Sequence, residues 1–311
     1  MQGIWPILYA YFVKSGQLDR AAMQVQVRAA LASGAPGVAV LGLATEVNKL
    51  TPAEKRAIIE WAAADLGTAG RLAVTVSGAT TGEQVELARD AVALGASYLI
   101  LQPPVRPAGP MPAADLEAFF IAVLETVGGM APDVAVGIQN APGFLGVGLD
   151  VEALARLRLR CPNFRFLKGE ASAVVIERTI AALGPGFPVL NGRGGMELPD
   201  NLRAGCRGMI VAPDCAAEQH EIARLFAGGD VAAAEQLYRR ILPAIAFVMQ
   251  SLDTLVVYGK RIAGWRMGID VVHDRQCTLV PTPFGLAIAR RYAEELGPLP
   301  GSGSTGRESG P

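Results

Sequence analysis

The chain has 311 residues, 51% of them hydrophobic and 18% charged, and its 28 Lys and Arg nearly balance 29 Asp and Glu. That balance supplies no strong field for nucleic acid or an anionic membrane surface, so neither is expected as a partner. The mean hydropathy is +0.31, yet apolar runs such as 39–44 and 97–101 fall well short of the roughly 20 residues a bilayer helix needs; with no signal-type leader, a cytoplasmic protein is expected.

From the N-terminus onward, short runs rich in Val, Ile and Leu alternate with longer stretches of helical period. Strands are predicted near 4–8, 37–41, 72–76, 98–101, 134–138, 164–168, 187–190 and 208–211. Helices are predicted near 19–33, 52–65, 81–94, 113–126, 150–159, 172–183 and 197–204. Thr51-Pro52-Ala53-Glu54 offers an N-cap, a proline at the first helical position and a capping-box carboxylate, and Thr80-Thr81-Gly82-Glu83 offers a similar start. Gly34 and Gly95 stand where a C′ glycine would end a helix. Strand–helix alternation implies parallel pairing through right-handed crossovers, and eight such units close into a (β/α)8 barrel. After residue 211 only helices follow, near 214–228, 230–251, 253–264 and 284–296. The expected organisation is a barrel over 1–228, a C-terminal helical extension over 229–296 and a mobile, apolar-poor tail over 297–311.

The cysteines, 161, 206, 215 and 277, form no CxxC pair, and the only histidines are 220 and 273. Buried thiols in a reduced protein are expected, with no metal and no cofactor. His220 is expected on a helix surface and His273 in a loop.

Catalytic groups of a barrel sit at the C-terminal ends of its strands. Four segments qualify. In Phe164-Arg165-Phe166-Leu167-Lys168-Gly169-Glu170, alternation puts Phe164, Phe166 and Lys168 on one face. Burying a lysine cation there is costly, which favours the neutral amine that attacks a ketone and forms a Schiff base; a lysine snorkelling to solvent is the competing reading. Gln139 and Asn140 end the fifth strand and can orient a substrate without moving its protons, although a strand ending in a Pro-Gly turn explains the segment as well. Gly42-Leu43-Ala44-Thr45-Glu46 offers a hydroxyl and backbone N–H groups to a carboxylate. Asn191-Gly192-Arg193-Gly194-Gly195 brings a cation and backbone donors, but a glycine-rich turn needs no ligand to justify it.

Taken in order, these segments resemble the dihydrodipicolinate synthase/N-acetylneuraminate lyase family. The resemblance runs from Gly3-Ile4-Trp5-Pro6 and Gly16-Gln17-Leu18-Asp19 through Gly42, Glu46 and Leu50-Thr51-Pro52-Ala53-Glu54-Lys55-Arg56. It continues at Gln102-Pro103-Pro104, Asn140-Ala141-Pro142, Leu167-Lys168, Glu170-Ala171-Ser172 and Asn191-Gly192. It implies a Schiff-base (β/α)8 barrel acting on a small 2-oxo acid, with Lys168 as the nucleophile and a homo-oligomer, dimer or tetramer, as the assembly.

The departures narrow the expectation. Leu43 and Ala44 replace the family's two hydroxyl residues that hold the pyruvyl carboxylate, and Gln139 replaces its proton-relaying tyrosine. Phe144 stands where the synthase has an arginine for its second substrate, and Val105 roughly where a tyrosine crosses the subunit interface. These losses argue against synthase activity. Gln139-Asn140-Ala141-Pro142, Glu170 two residues after Lys168, and Thr45 before Glu46 resemble the L-2-keto-3-deoxyarabonate dehydratases instead, with Asn140 in place of their aspartate. The resemblance thus implies dehydration of a 2-keto-3-deoxy sugar acid, with Glu170 as general acid/base and Thr45, Gln139, Asn140, Asn191 and Arg193 around the substrate. Glu170 as a structural carboxylate near Ser172 stands beside that role. A pyruvate-releasing aldolase and a non-catalytic 2-oxo-acid-binding protein are the alternatives.

Overall fold

The computed structural model describes residues 1–104 and 109–302. Its eight strands are β1 (Gly3–Pro6), β2 (Gly37–Val40), β3 (Arg71–Val76), β4 (Tyr98–Leu101), β5 (Ala135–Asn140), β6 (Phe164–Gly169), β7 (Val189–Asn191) and β8 (Gly208–Val211). They pair in parallel in the order β1-β8-β7-β6-β5-β4-β3-β2. Just past the end of β1, Ile7 bridges Ala39 and the Leu8 N–H donates to the Ala39 carbonyl at 2.9 Å, which brings the two edges together. The result is the (β/α)8 barrel that the alternation predicts.

Around it run α1 (Arg20–Ala32), α2 (Pro52–Leu66), α3 (Thr81–Ala93), α4 (Ala113–Met130), the single turn α5 (Pro142–Leu145), α6 (Val151–Arg160), α7 (Ala173–Leu183), α8 (Leu198–Arg203) and α9 (Ala216–Ala227). The C-terminal part adds α10 (Val231–Val248), α11 (Leu252–Thr254), α12 (Lys260–Arg266) and α13 (Pro283–Leu296), with a π-helical turn, Leu255–Gly259, between α11 and α12. Among the described residues no single helix is long and apolar enough to cross a membrane.

Local chemistry fixes several of these boundaries. Thr51 and Thr80 both close reciprocal capping boxes, with Glu54 and Glu83, at the starts of α2 and α3. Gly34 and Gly95 take φ of 84° and 98° just past α1 and α3, a region a side chain disfavours. Two apolar layers follow from strand alternation. Trp5, Ile7, Ala39, Ile100, Phe166 and Leu190 belong to the cluster that fills the barrel interior. Val38, Val74, Leu99 and Leu167 face outward and pack with helix residues such as Ile58 and Phe120.

Two expectations change here. Phe164 does not share a face with Phe166 and Lys168. The β5–β6 register shifts between Val136 and Gly137, so that Val136 pairs with Phe164 and Gly137 with Phe166. The extra residue, Arg165, inverts the alternation as a bulge does, and Phe164 turns outward against Phe187 with ring centroids 5.1 Å apart. The second change is at the tail. Leu299 is buried, its N–H donates to the Arg266 carbonyl at 2.9 Å, and Arg266 donates to the Gly297 carbonyl at 2.7 Å. The first residues of the stretch expected to be mobile are therefore packed against α12; residues 303–311 lie outside the described residues.

His220 lies half-buried on α9, and burial lowers its pKa. Cys161, Cys206 and Cys215 are buried and Cys277 is half-buried, all four as free thiols.

Candidate active site

Lys168 and Gln139 are each the penultimate residue of a strand, and the register sets them side by side across β5 and β6. Both point into the mouth of the barrel because Phe166, two residues before Lys168, lies in the interior. Lys168 is only 4% exposed. Its Nζ lies 2.8 Å from Glu170 Oε1, and the same oxygen accepts a hydrogen bond from Gln139 Nε2 at 2.6 Å. Glu170 is 9% exposed, so the amine and the carboxylate share a pocket largely withdrawn from water. Gly192 makes this packing possible: a Cβ there would stand 2.9 Å from Glu170 Cγ.

The cleft above Lys168 is lined by Glu170 and Arg193 on one side and by Leu43, Ala44 and Phe144 on the others. Met249, Leu252 and Leu255 from the C-terminal helices complete the wall, a contribution that helical periodicity alone did not reveal. Arg193 is a free-standing cation only in part, since its NH1 donates to Glu197 Oε2 at 2.8 Å. In the loop after β2, the Glu46 N–H bonds back to the Leu43 carbonyl at 3.0 Å. Among the described residues no acceptor takes the N–H groups of Ala44 and Thr45.

Four of the predicted site residues thus come together: Lys168, Glu170, Gln139 and Arg193. Gln139 stands behind Glu170 rather than on the cleft surface. It is fully buried, its Nε2 is committed to Glu170, and its Oε1 has no partner among the described residues. The side chains of three others are held by other partners. The Thr45 hydroxyl is buried and donates to the Leu8 carbonyl at 2.6 Å. Asn140 accepts from the Leu149 N–H at 2.8 Å and donates to the Leu149 carbonyl at 2.9 Å, holding the loop around α5. Asn191 donates to the Ala171 carbonyl at 2.9 Å and to Asn201 Oδ1 at 2.8 Å, and accepts from the Gly192 N–H at 2.8 Å. Asn140 and Asn191 end their strands and Thr45 lies in the loop after β2, positions where sequence alone cannot tell a loop-holding side chain from a ligand-binding one. Val105 lies outside the described residues.

A second polar link crosses the barrel end. The Tyr9 hydroxyl, just past β1, donates to Asp214 Oδ1, just past β8, at 3.0 Å. Burial raises Asp214 from the usual 3.8 to about 6, against the lowering effect of the Tyr9 hydrogen bond.

The profile of the dihydrodipicolinate synthetase family matches residues 1–276. A 4-hydroxy-tetrahydrodipicolinate synthase of Synechococcus sp. (strain CC9605) is 26% identical over 263 residues, covering 83% of this chain and 84% of the relative. The probable 2-dehydro-3-deoxy-D-pentonate aldolase YjhH of Escherichia coli (strain K12) is 25% identical over 270 residues, covering 84% of this chain and 87% of the relative. Among solved structures, the dihydrodipicolinate synthase from Aquifex aeolicus superposes with a TM-score of 0.85 at 22% identity over 96% of this chain and 99% of its own. YagE, a prophage protein from Escherichia coli K12 in complex with pyruvate, gives a TM-score of 0.84 at 21% identity over 95% and 98%. With the profile matched over most of its length and a buried lysine–carboxylate pair at the mouth of the barrel, the chain belongs to the dihydrodipicolinate synthetase family.

Proposed function

We propose that this protein is a Schiff-base lyase that dehydrates a 2-keto-3-deoxy sugar acid. The observation that carries the reading is the buried array in which one oxygen of Glu170 meets both Lys168 Nζ at 2.8 Å and Gln139 Nε2 at 2.6 Å. Glu170 receives the Lys168 proton, and the neutral amine attacks C2 of the 2-oxo acid. Loss of water from that adduct leaves an iminium, which acidifies the C3 protons. Removal of one C3 proton gives an enamine whose electrons expel the C4 hydroxyl as water, with a proton returned by Glu170. Hydrolysis of the imine frees Lys168 and a 3-ene-2-oxo acid; for a pentonate, transfer of a proton from C5 to C3 and tautomerisation of the resulting enol give the 2-oxo semialdehyde. The N–H groups of Ala44 and Thr45 hold the substrate carboxylate where the family's side-chain hydroxyls are missing, and Arg193 adds positive charge at the opposite wall. Glu170 therefore replaces the tyrosine as the proton carrier.

An aldolase outcome differs only in the bond that breaks. If the C4 hydroxyl loses its proton while C3–C4 cleaves, the products are pyruvate and an aldehyde. The similarity to the probable pentonate aldolase favours keeping this second reading. Borohydride reduction in the presence of pyruvate and of 2-keto-3-deoxy acids tests the common step, and product analysis separates the two. Failure of any 2-oxo acid to label Lys168 removes the Schiff base. A 2-oxo semialdehyde without pyruvate identifies the dehydratase, and pyruvate plus aldehyde the aldolase. Binding of pyruvate with no turnover of any acid points to a non-catalytic binding protein. A dimer or tetramer is the expected assembly, and sedimentation of the purified chain measures it.

A further inference from the structure

A buried ion pair ties the loop after β2 to the C-terminal helices. Lys260 opens α12 with no exposed surface, and its Nζ donates to Glu46 Oε1; Glu46 Oε2 accepts from Lys49 Nζ at 2.6 Å. Lys260 Nζ also lies 5.3 Å from the centre of the Phe12 ring, which the Arg275 guanidinium approaches to 4.7 Å. Arg275 in turn bonds Glu54 at 2.5 Å and the Lys49 carbonyl at 3.1 Å. The Tyr11 hydroxyl donates to the Lys260 carbonyl at 2.8 Å. Burial pushes the Lys260 ammonium below the usual lysine range, with Glu46 opposing that shift.

The loop so held is strained. Leu41 and Glu46 take φ of 62° and 56°, in the left-handed region that residues with a side chain disfavour. Such conformations persist where the surroundings over-determine them, and they gather at functional sites. Here the determinants are the Thr45 hydroxyl on the Leu8 carbonyl and the two lysines on Glu46. Between the strained ends, Leu43 and Ala44 face the cleft opposite Lys168. The π-helical turn that ends at Gly259 comes from the same segment: Leu255 at its start walls the cleft, and Lys260 just beyond it reaches Glu46. Stability alone is a poor account of the pair, because withdrawing two charges from water costs several kcal/mol per ion and apolar residues often serve as well.

We infer that Glu46 and Lys260 are positioning residues that clamp the cleft-facing loop of residues 41–46 in its carboxylate-binding shape, making the C-terminal helices part of the substrate site. The inference rests on the reading that the Ala44 and Thr45 N–H groups receive the substrate carboxylate. A loop displaced by even 1 Å degrades binding geometry steeply. The clamp acts on affinity, not on the chemistry of the Lys168 amine.

The test compares the full-length wild type, Lys260→Met and the double variant Glu46→Gln/Lys260→Met. The probes are pyruvate and lactate, the latter carrying the carboxylate without the ketone, titrated calorimetrically alongside thermal melts. Lys260→Met leaves the Glu46 carboxylate buried with one partner fewer and is expected to lose both melting temperature and affinity. The double variant removes both charges of the Lys260–Glu46 pair and is expected to regain most of the melting temperature, yet still bind both acids on the order of tenfold more weakly or worse. Faster amide exchange at Glu46 and Lys49, whose N–H groups are bonded within this segment, is expected in both variants. Recovery of affinity together with stability in the double variant shows a merely structural pair and overturns the inference, as does unchanged affinity in Lys260→Met. A wild type that resists borohydride labelling but binds lactate removes the Schiff base alone, and the clamp is then judged on lactate. A wild type that binds neither acid removes the carboxylate loop and its clamp together.

Discussion

Lys168 and Glu170 stand two residues apart at the end of one strand, with Nζ and Oε1 separated by 2.8 Å and both side chains nearly withdrawn from solvent. Gly169, between them, is the last residue of β6, and both side chains line the same cleft at the barrel mouth. An amine and a carboxylate in such contact exchange a proton directly, which a nucleophile and its general base both require.

Replacing Lys168 with Ala is expected to abolish borohydride labelling by pyruvate while the protein remains folded. Loss of the imine removes the electron sink, so turnover of any 2-oxo acid falls to background. Mass spectrometry of the reduced adduct locates the site. Labelling that persists in the variant shows that another lysine is the nucleophile.

Glu170→Gln keeps the shape and removes the proton carrier. Turnover is expected to fall by about 10²- to 10⁴-fold, while pyruvate still labels Lys168, although more slowly. If Glu170 only supports the chain near Ser172, the glutamine variant turns over at close to the wild-type rate.

Gln139 donates to Glu170 from a fully buried position. Gln139→Leu leaves the carboxylate one donor short and is expected to lower kcat with little change in KM, because Gln139 does not line the cleft. The split between kcat and KM is the informative measurement, since a side chain that meets Glu170 from behind and does not line the cleft acts on turnover and not on substrate affinity. A rise in KM alone assigns Gln139 to substrate binding instead.

Thr45 supplies a contrast. Its hydroxyl is committed to the Leu8 carbonyl at 2.6 Å, so Thr45→Val is expected to lower stability by roughly 1–3 kcal/mol, the cost of an unpaired buried acceptor. Denaturant unfolding measures that loss. Pyruvate labelling at saturation should survive it.

Asp214 makes stability depend on pH. Its folded-state value, about 6, lies above the usual 3.8, so the stability it contributes is complete below 3.8 and is lost as pH rises through about 6. Roughly two units correspond to about 3 kcal/mol. Asp214→Asn lacks this titration. Its stability relative to wild type should therefore rise between pH 4 and 7, by up to that amount, in paired urea unfolding curves. A difference that stays flat over that interval contradicts the raised value.

Much of the architecture was legible in the sequence because it depends on local rules. Apolar runs of four to six residues, capping boxes at Thr51 and Thr80 and glycines at 34 and 95 each fix a boundary through near neighbours alone. Ordered motifs also marked Lys168 and Glu170, and their strand-end positions brought them to the barrel mouth. Alternation failed at Phe164, where one bulged residue reversed the face and no local residue type announced it.

The remaining distinctions were made by the tertiary structure. Thr45, Asn140 and Asn191 have the right chemistry at a strand end or in the loop after it, but a polar side chain serves whichever partner lies within hydrogen-bond reach. The carbonyls of Leu8, Leu149 and Ala171 are those partners here. Lys260 shows the converse. It is a charge inside an apolar segment, and its partner Glu46 is 214 residues away in the chain. Sequence alone determined which groups could do chemistry and which strand ends carry them. Only the fold determined which of those groups are free to meet a substrate, because hydrogen-bond geometry and burial depend on residues that sequence distance keeps apart.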